Sequence, residues 1–254
     1  TMKVPGALKN VLVSCGLLTL PWVAIAAEPD FSKVEITTIP LAQGVSMLVG
    51  QAQGDAGVDD ETRRDAYLIE AELHREDKDD AAELDAYSRA LAAFPDEEAV
   101  LYSRALMWER RDDIPRAEAD LRKILVADPD DVNALNALGY TLTDRTDRHQ
   151  EALELISRAL AAEPDNAAII DSYGWVLFRL GRPKEALVEL RRAYTKQKDA
   201  EIASHVAEVL WVLGRRDEAI GDLVYWVSSP SFKPLAELPE GRGARFLLGD
   251  ALGR

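Results

Sequence analysis

The chain has 254 residues, with 30 Lys plus Arg against 45 Asp plus Glu and a net charge of −15. A hydrophobic content of 47% is too rich for a disordered chain, and the length allows a sizeable core. The acidity excludes a general nucleic-acid binder, because a phosphate backbone is repelled without a local basic stripe. One cysteine, Cys15, excludes an internal disulfide and a Cys-based zinc site, and the 3 histidines, His74, His149 and His205, are scattered.

The first residues read as a targeting segment. Lys3 and Lys9 are basic, Val11 to Ala27 is apolar with one break at Pro21, and Ala24-Ile25-Ala26 places small residues where a signal peptidase cuts. Residues 1–26 are therefore expected to be a signal peptide, which implies export. Leu12-Val13-Ser14-Cys15 is similar to a lipoprotein cleavage box. Lys9 leaves a short apolar run before it, so Cys15 is read as part of the leader.

Residues 27–60 change character. From Val34 to Val49, β-branched residues alternate with polar ones around a turn near Leu41 to Gly44, which predicts two short strands. A lone hairpin is marginally stable, so this piece is expected to pack loosely. Gln51 to Asp60, with Gly54 and Gly57, reads as a linker. The leader and the Leu41-Ala42-Gln43-Gly44-Val45 step resemble the N-terminus of exported metallo-β-lactamase-fold hydrolases. That family's zinc-binding His-x-His-x-Asp-His run has no counterpart here, so no zinc ligand is carried over.

From about Thr62 the apolar period becomes helical, and the sequence begins to repeat. Pro95, Pro129 and Pro164 recur at near-constant spacing, each after an Ala-rich helix end and before good capping residues. Ala117, Ala152, Ala186 and Ala219 form a second series. Their spacing is the 34-residue tetratricopeptide period. Within each unit, large residues flank a small one where two helices must cross. Leu135, Leu138-Gly139 and Leu142 do so in one unit, and Ile170, Tyr173-Gly174 and Leu177 in the next. Second helices repeat the device with Ala152-Ile156-Ala159 and Ala186-Leu190-Ala193. Pro115 and Pro183 sit at second-helix starts, where a missing N–H costs little. The turn Thr143 to Gln150 reads as holding one extra residue. Residues 61–228 are thus expected to form an all-α, right-handed superhelix of five helix pairs. Residues 229–254, broken by Pro230, Pro234 and Pro239, are expected to be an irregular tail with a short helix at Ala244 to Leu252.

The runs Asn136-Ala137-Leu138-Gly139-Tyr140 and Asp171-Ser172-Tyr173-Gly174-Trp175 resemble the C-terminal repeats of long bacterial envelope tetratricopeptide (TPR) proteins, often lipoproteins. The resemblance implies a non-enzymatic scaffold of the cell envelope, periplasmic or outer-membrane associated. The implied partner is a protein or peptide, such as an envelope protease or an assembly factor. In such solenoids the first helices line a concave groove. In register, the groove positions are Tyr102, Asn133, Asn136, Tyr140, Asp171, Trp175, Arg179, Ser204, Glu208 and Trp211, with Leu106, Asp144 and Phe178 beside them. Tyr140, Trp175 and Trp211 are expected to be exposed there, because rings and amides suit peptide recognition. Some TPR domains grip a C-terminal carboxylate with Lys and Asn. Here Asn136, Tyr140 and Asp171 stand without the Lys pair, so that specificity is not expected.

No phosphate loop, nucleophile elbow or paired catalytic carboxylates are apparent, and no catalytic residue, cofactor or metal is called for. His205 is placed near the groove, while His74 and His149 read as surface residues. Membrane contact is expected only through the leader or a lipid on Cys15. Two rival readings accompany the adaptor. One is an inactive, truncated or chimeric hydrolase leader fused to repeats, and the other is a structural solenoid that self-associates.

Overall fold

The computed structural model describes residues 34–42, 45–52 and 59–227. The signal-peptide and C-terminal-tail readings lie outside these residues. Strands β1 (Val34–Ala42) and β2 (Val45–Ala52) pair antiparallel, from Val34 opposite Ala52 to Ala42 opposite Val45. The register shifts between Pro40 and Ala42, where a proline without an N–H suits an irregularity. Strand β2 takes up Gln51 and Ala52, the first two residues of the expected linker.

Ten helices follow among the described residues, as five antiparallel pairs. They are α1 (Asp60–Glu76) with α2 (Asp80–Ala93), α3 (Glu98–Arg110) with α4 (Ile114–Ala127), and α5 (Val132–Arg145) with α6 (His149–Ala162). Then come α7 (Ala167–Arg179) with α8 (Pro183–Lys196) and α9 (Ala200–Val212) with α10 (Arg216–Val227). First helices approach one another across units, α5 against α7 and α7 against α9, while each second helix packs against the next first helix. That asymmetry bends the stack, with first helices on the inner face and second helices on the outer.

Several helix starts carry a local reason. Asp131 accepts from the Ala134 N–H at 2.6 Å and Asn166 from Ala168 at 3.0 Å, so the acids and amide after each proline do cap the next helix. Glu97 is the exception and makes no side-chain cap on α3. Pro115 and Pro183 occupy the first turns of α4 and α8. The extra residue of the third unit lies in α5 and not in the following turn. All five intra-unit turns have three residues, and α5 has 14 residues where α3 and α7 have 13. Four turns pass through a left-handed residue at their centre: Lys78, Asp112, Gly181 and Gly214. The turn after α5 instead leaves the helix at an extended Thr146.

The core forms where paired helices cross at small residues. Ala71, Ala105, Gly139, Gly174 and Ala207 occupy equivalent places and are buried. A Cβ on Gly139 would sit 2.5 Å from Ile156 Cγ1, and one on Gly174 would sit 2.7 Å from Leu190 Cγ and 3.1 Å from its backbone nitrogen. The γ-carbon must move to admit a Cβ, and the backbone nitrogen beside it is already tight. Around these crossings pack Leu101, Leu121, Leu135, Leu138, Leu142 and Ile156, all sealed from solvent.

Neighbouring units are tied on the outer face by a device that recurs with the repeat. Lys123 Nζ donates to the Pro95 carbonyl at 2.7 Å, and Arg158 and Arg192 donate to the carbonyls of Pro129 and Pro164. In the first two units, buried carboxylates are met by arginines from adjoining helices. Asp120 is held by both arms of Arg104 at 2.7 and 2.8 Å, Glu83 by Arg110 at 2.6 Å and Glu70 by Arg89 at 2.7 Å. A buried carboxylate left unpaired is strongly destabilising, so these arginines are required by the acids they meet.

Two substitutions test this packing. Gly174→Val should lower unfolding stability by roughly 3 kcal/mol, read from urea midpoints, because the helix pair must spread to admit the side chain. Lys78→Gly should raise it by about 0.5–1 kcal/mol, because a left-handed backbone is costly for a residue with a Cβ. No loss in the first, or a loss in the second, would contradict the crossing and turn geometry.

Candidate functional site

The inner face carries a cavity of about 300 Å³ between α3, α5, α7 and α9. Tyr102 and Leu106 come from α3, Asn136, Ala137 and Tyr140 from α5, and Ala168, Asp171 and Ser172 from α7. Gln197, Asp199, Glu201 and Ile202 close the far side. Of the residues expected in the groove, Tyr102, Asn136, Tyr140 and Asp171 thus line one cavity. Asn133 is exposed on α5, and Arg179, Ser204, Glu208 and Trp211 lie outside the cavity. Ser204 Oγ donates to the Glu201 carbonyl at 2.8 Å, and the Trp211 ring lies 4.9 Å beneath the Arg216 guanidinium.

Trp175 departs from its expected exposure. It retains 5% of its surface, stacked on His205 with ring centres 4.2 Å apart and planes 16° apart, and tilted against Phe178 at 5.2 Å. The cause is the next unit. Helix α9 packs on α7 and lays the imidazole of His205 over the indole, so a ring on the inner-face register becomes core. His74 and His149 are likewise half-buried and not surface residues.

His205 Nδ1–H donates to the Asp171 carboxylate, at 2.9 Å from Oδ2 and 3.1 Å from Oδ1, and both side chains are buried. The two residues are 34 apart, so they occupy equivalent positions on successive first helices. That spacing is the one sequence signal that would have paired them. Tyr140 donates its hydroxyl to Glu201 Oε1, linking α5 to α9 across α7. This second contact spans 61 residues and has no periodic signature.

The electrostatics follow from burial. Desolvation opposes a charged His205, but the Asp171 charge and hydrogen bond, with Glu201 and Glu208, outweigh it and raise the imidazole above its ordinary 6.5. Burial raises Glu201, although the charge of His205 and the Tyr140 hydroxyl pull the other way. Burial also raises Glu208, against the charges of His205 and Arg179. The Tyr140 phenol is held well above 10, first by burial and then by Glu201. Tyr102 is raised in the same way, by burial and the nearby charge of Asp131.

Two buried polar atoms here find no partner among the described residues: Asn136 Oδ1, in the cavity wall, and Trp175 Nε1. A buried acceptor without a donor carries an unrecovered desolvation cost of about 1–3 kcal/mol. Among the described residues, no group of His, Asp or Glu side chains is arranged to hold a metal ion.

The His205–Asp171 pair fixes the sign of a pH dependence. A group raised on folding contributes fully below its unfolded value, near 6.5, and loses that contribution as pH rises through its folded value. Wild type should therefore exceed His205→Gln in thermal stability by more at about pH 6 than at about pH 9. A gap that is constant across that range would show that the imidazole is neutral in the fold.

Residues 60–222 match the family model described as tetratricopeptide repeat. The chain is 43% identical over 143 residues to a TPR repeat-containing protein of Pseudomonas aeruginosa, a match that covers 56% of this chain and 24% of that protein. It is 29% identical over 190 residues to protein FlbA of Caulobacter vibrioides, over 74% of this chain and 31% of that one. The chain therefore spans less than a third of the length of either relative. Among solved structures, it resembles a thermophilic TPR protein of Thermus thermophilus, with a TM-score of 0.60, 22% identity, and coverage of 74% of this chain and 98% of that one. With the five stacked helix pairs and a family match over most of the chain, the protein belongs to the tetratricopeptide repeat family.

Proposed function

We propose that the inner face of this solenoid holds an extended segment of a protein partner. On this reading the chain is a non-enzymatic adaptor of the bacterial cell envelope. The observation that carries it is the cavity between α3, α5, α7 and α9, which brings Tyr102, Asn136, Tyr140 and Asp171 together on the inner face. Tyrosine rings beside amides and carboxylates can hold both the side chains and the backbone of a peptide. TPR solenoids present such a face as a protein–protein interaction scaffold. Export rests on the basic, apolar and Ala-x-Ala pattern of residues 1–26. An envelope protease or an assembly factor is the partner class that this location favours.

Site-specific photocrosslinking in envelope extract tests the reading. A photoreactive residue at position 102, on the inner face, should capture a discrete protein. One at position 126, where Val126 is 83% exposed on α4, should not. Asn136→Ala should weaken capture from position 102 while leaving helical content unchanged in circular dichroism. Equal capture from both positions would place partner binding elsewhere.

A further inference from the structure

The cavity has a chemical character that narrows what enters it. Among the described residues that line it there are three acids, Asp171, Asp199 and Glu201, and no Lys or Arg. Asp131, near Tyr102, adds a further negative charge. The imidazole of His205 is engaged by Asp171, and Lys198 lies over the Tyr194 ring. Residues with acceptor groups line the space from three helices: Asn136 on α5, Asp171 on α7 and Glu201 on α9. The carboxylates have spare capacity, since a carboxylate offers about four acceptor sites. The remaining walls include two tyrosine rings, Tyr102 and Tyr140, against which a cation is favoured.

From this arrangement we propose that the cavity is a subsite for an arginine side chain of the bound segment, an inference that rests on the groove reading above. Arginine matches the geometry better than lysine. A guanidinium presents five N–H donors in one plane, enough to reach acceptors on three helices at once, while its flat faces lie against tyrosine. It is also more weakly hydrated than an ammonium, so entering a partly apolar cavity costs it less. A carboxylate, by contrast, would meet three acids and no lysine. The partner is therefore a segment with an arginine anchor, and not an acidic or free C-terminal one.

The test uses the full chain, labelled with ¹⁵N, and three small probes: N-acetyl-arginine methylamide, its citrulline analogue and its lysine analogue. Citrulline keeps the shape of arginine and removes the charge. The arginine probe should shift the Asn136 side-chain amide and the Trp175 indole signals in a saturable way. The citrulline probe, and the arginine probe on Glu201→Gln, should bind about tenfold more weakly, the loss expected for one charge-assisted hydrogen bond. Glutamine keeps an acceptor for Tyr140, and unchanged circular dichroism confirms that this variant is folded. Equal shifts by citrulline, or tighter binding of the lysine probe, would overturn the arginine assignment. A peptide array separates this failure from failure of the groove. Inner-face binding that is indifferent to arginine would sink the subsite alone. If no peptide of any composition shifts signals from α3, α5 or α7, the groove reading falls, and this proposal falls with it.

Discussion

The fold depends on how closely two helices can approach within each unit. At Gly139 and Gly174 there is no room for a single methyl group, since the Ile156 and Leu190 side chains already fill the space. Alanine holds the equivalent place in the other three units. Close crossing lets branched side chains interdigitate on both sides of the contact and bury almost completely. It also dictates the remaining geometry. Once the second helix covers one side of the first, the only free flank of the first helix is the inner one. The residues on that flank then answer to neighbouring units and to ligands.

Helices are joined by different chemistry along the stack. In the first two units, arginines from adjoining helices satisfy buried carboxylates at Glu70, Glu83 and Asp120. The outer face is bound at three successive joints by basic side chains on proline carbonyls, and toward the last units the inner face is bound by the Tyr140–Glu201 and His205–Asp171 bonds. Prolines that end second helices thus serve twice. They stop the helix, and their carbonyls become acceptors for the following unit. The inner-face bonds tie α9 to both α5 and α7, so the last pair is fastened across three units rather than by its immediate neighbour alone.

This fastening shapes the electrostatics of the inner face. Placing a buried Asp171 and the half-buried Glu201 and Glu208 around one imidazole concentrates negative charge where solvent is partly excluded, and there charges interact more strongly than at the surface. The same groups that hold α9 in place therefore set the sign of the potential in the cavity. In a chain of net charge −15 this local field reinforces the global one, so a cationic segment is attracted at long range and recognised at short range.

The sequence by itself determined the repeat, the helix pairs, the crossing residues and the capping positions, because each depends on neighbours within one period. Pro, Gly, Ala and Asp at fixed intervals are local instructions, and the structure obeys them except at Glu97 and in the length of α5. The sequence also placed Tyr102, Asn136, Tyr140 and Asp171 on the inner face, because a helical register fixes direction. It did not reveal which of those side chains stay open to a ligand. Trp175 occupies an inner register and is covered by His205, and Tyr140 is bonded to a residue two first helices away. Only the tertiary structure decided those outcomes, because the curvature of the stack sets which units meet. A helix register gives the direction of a side chain, whereas exposure depends on what another helix lays over it.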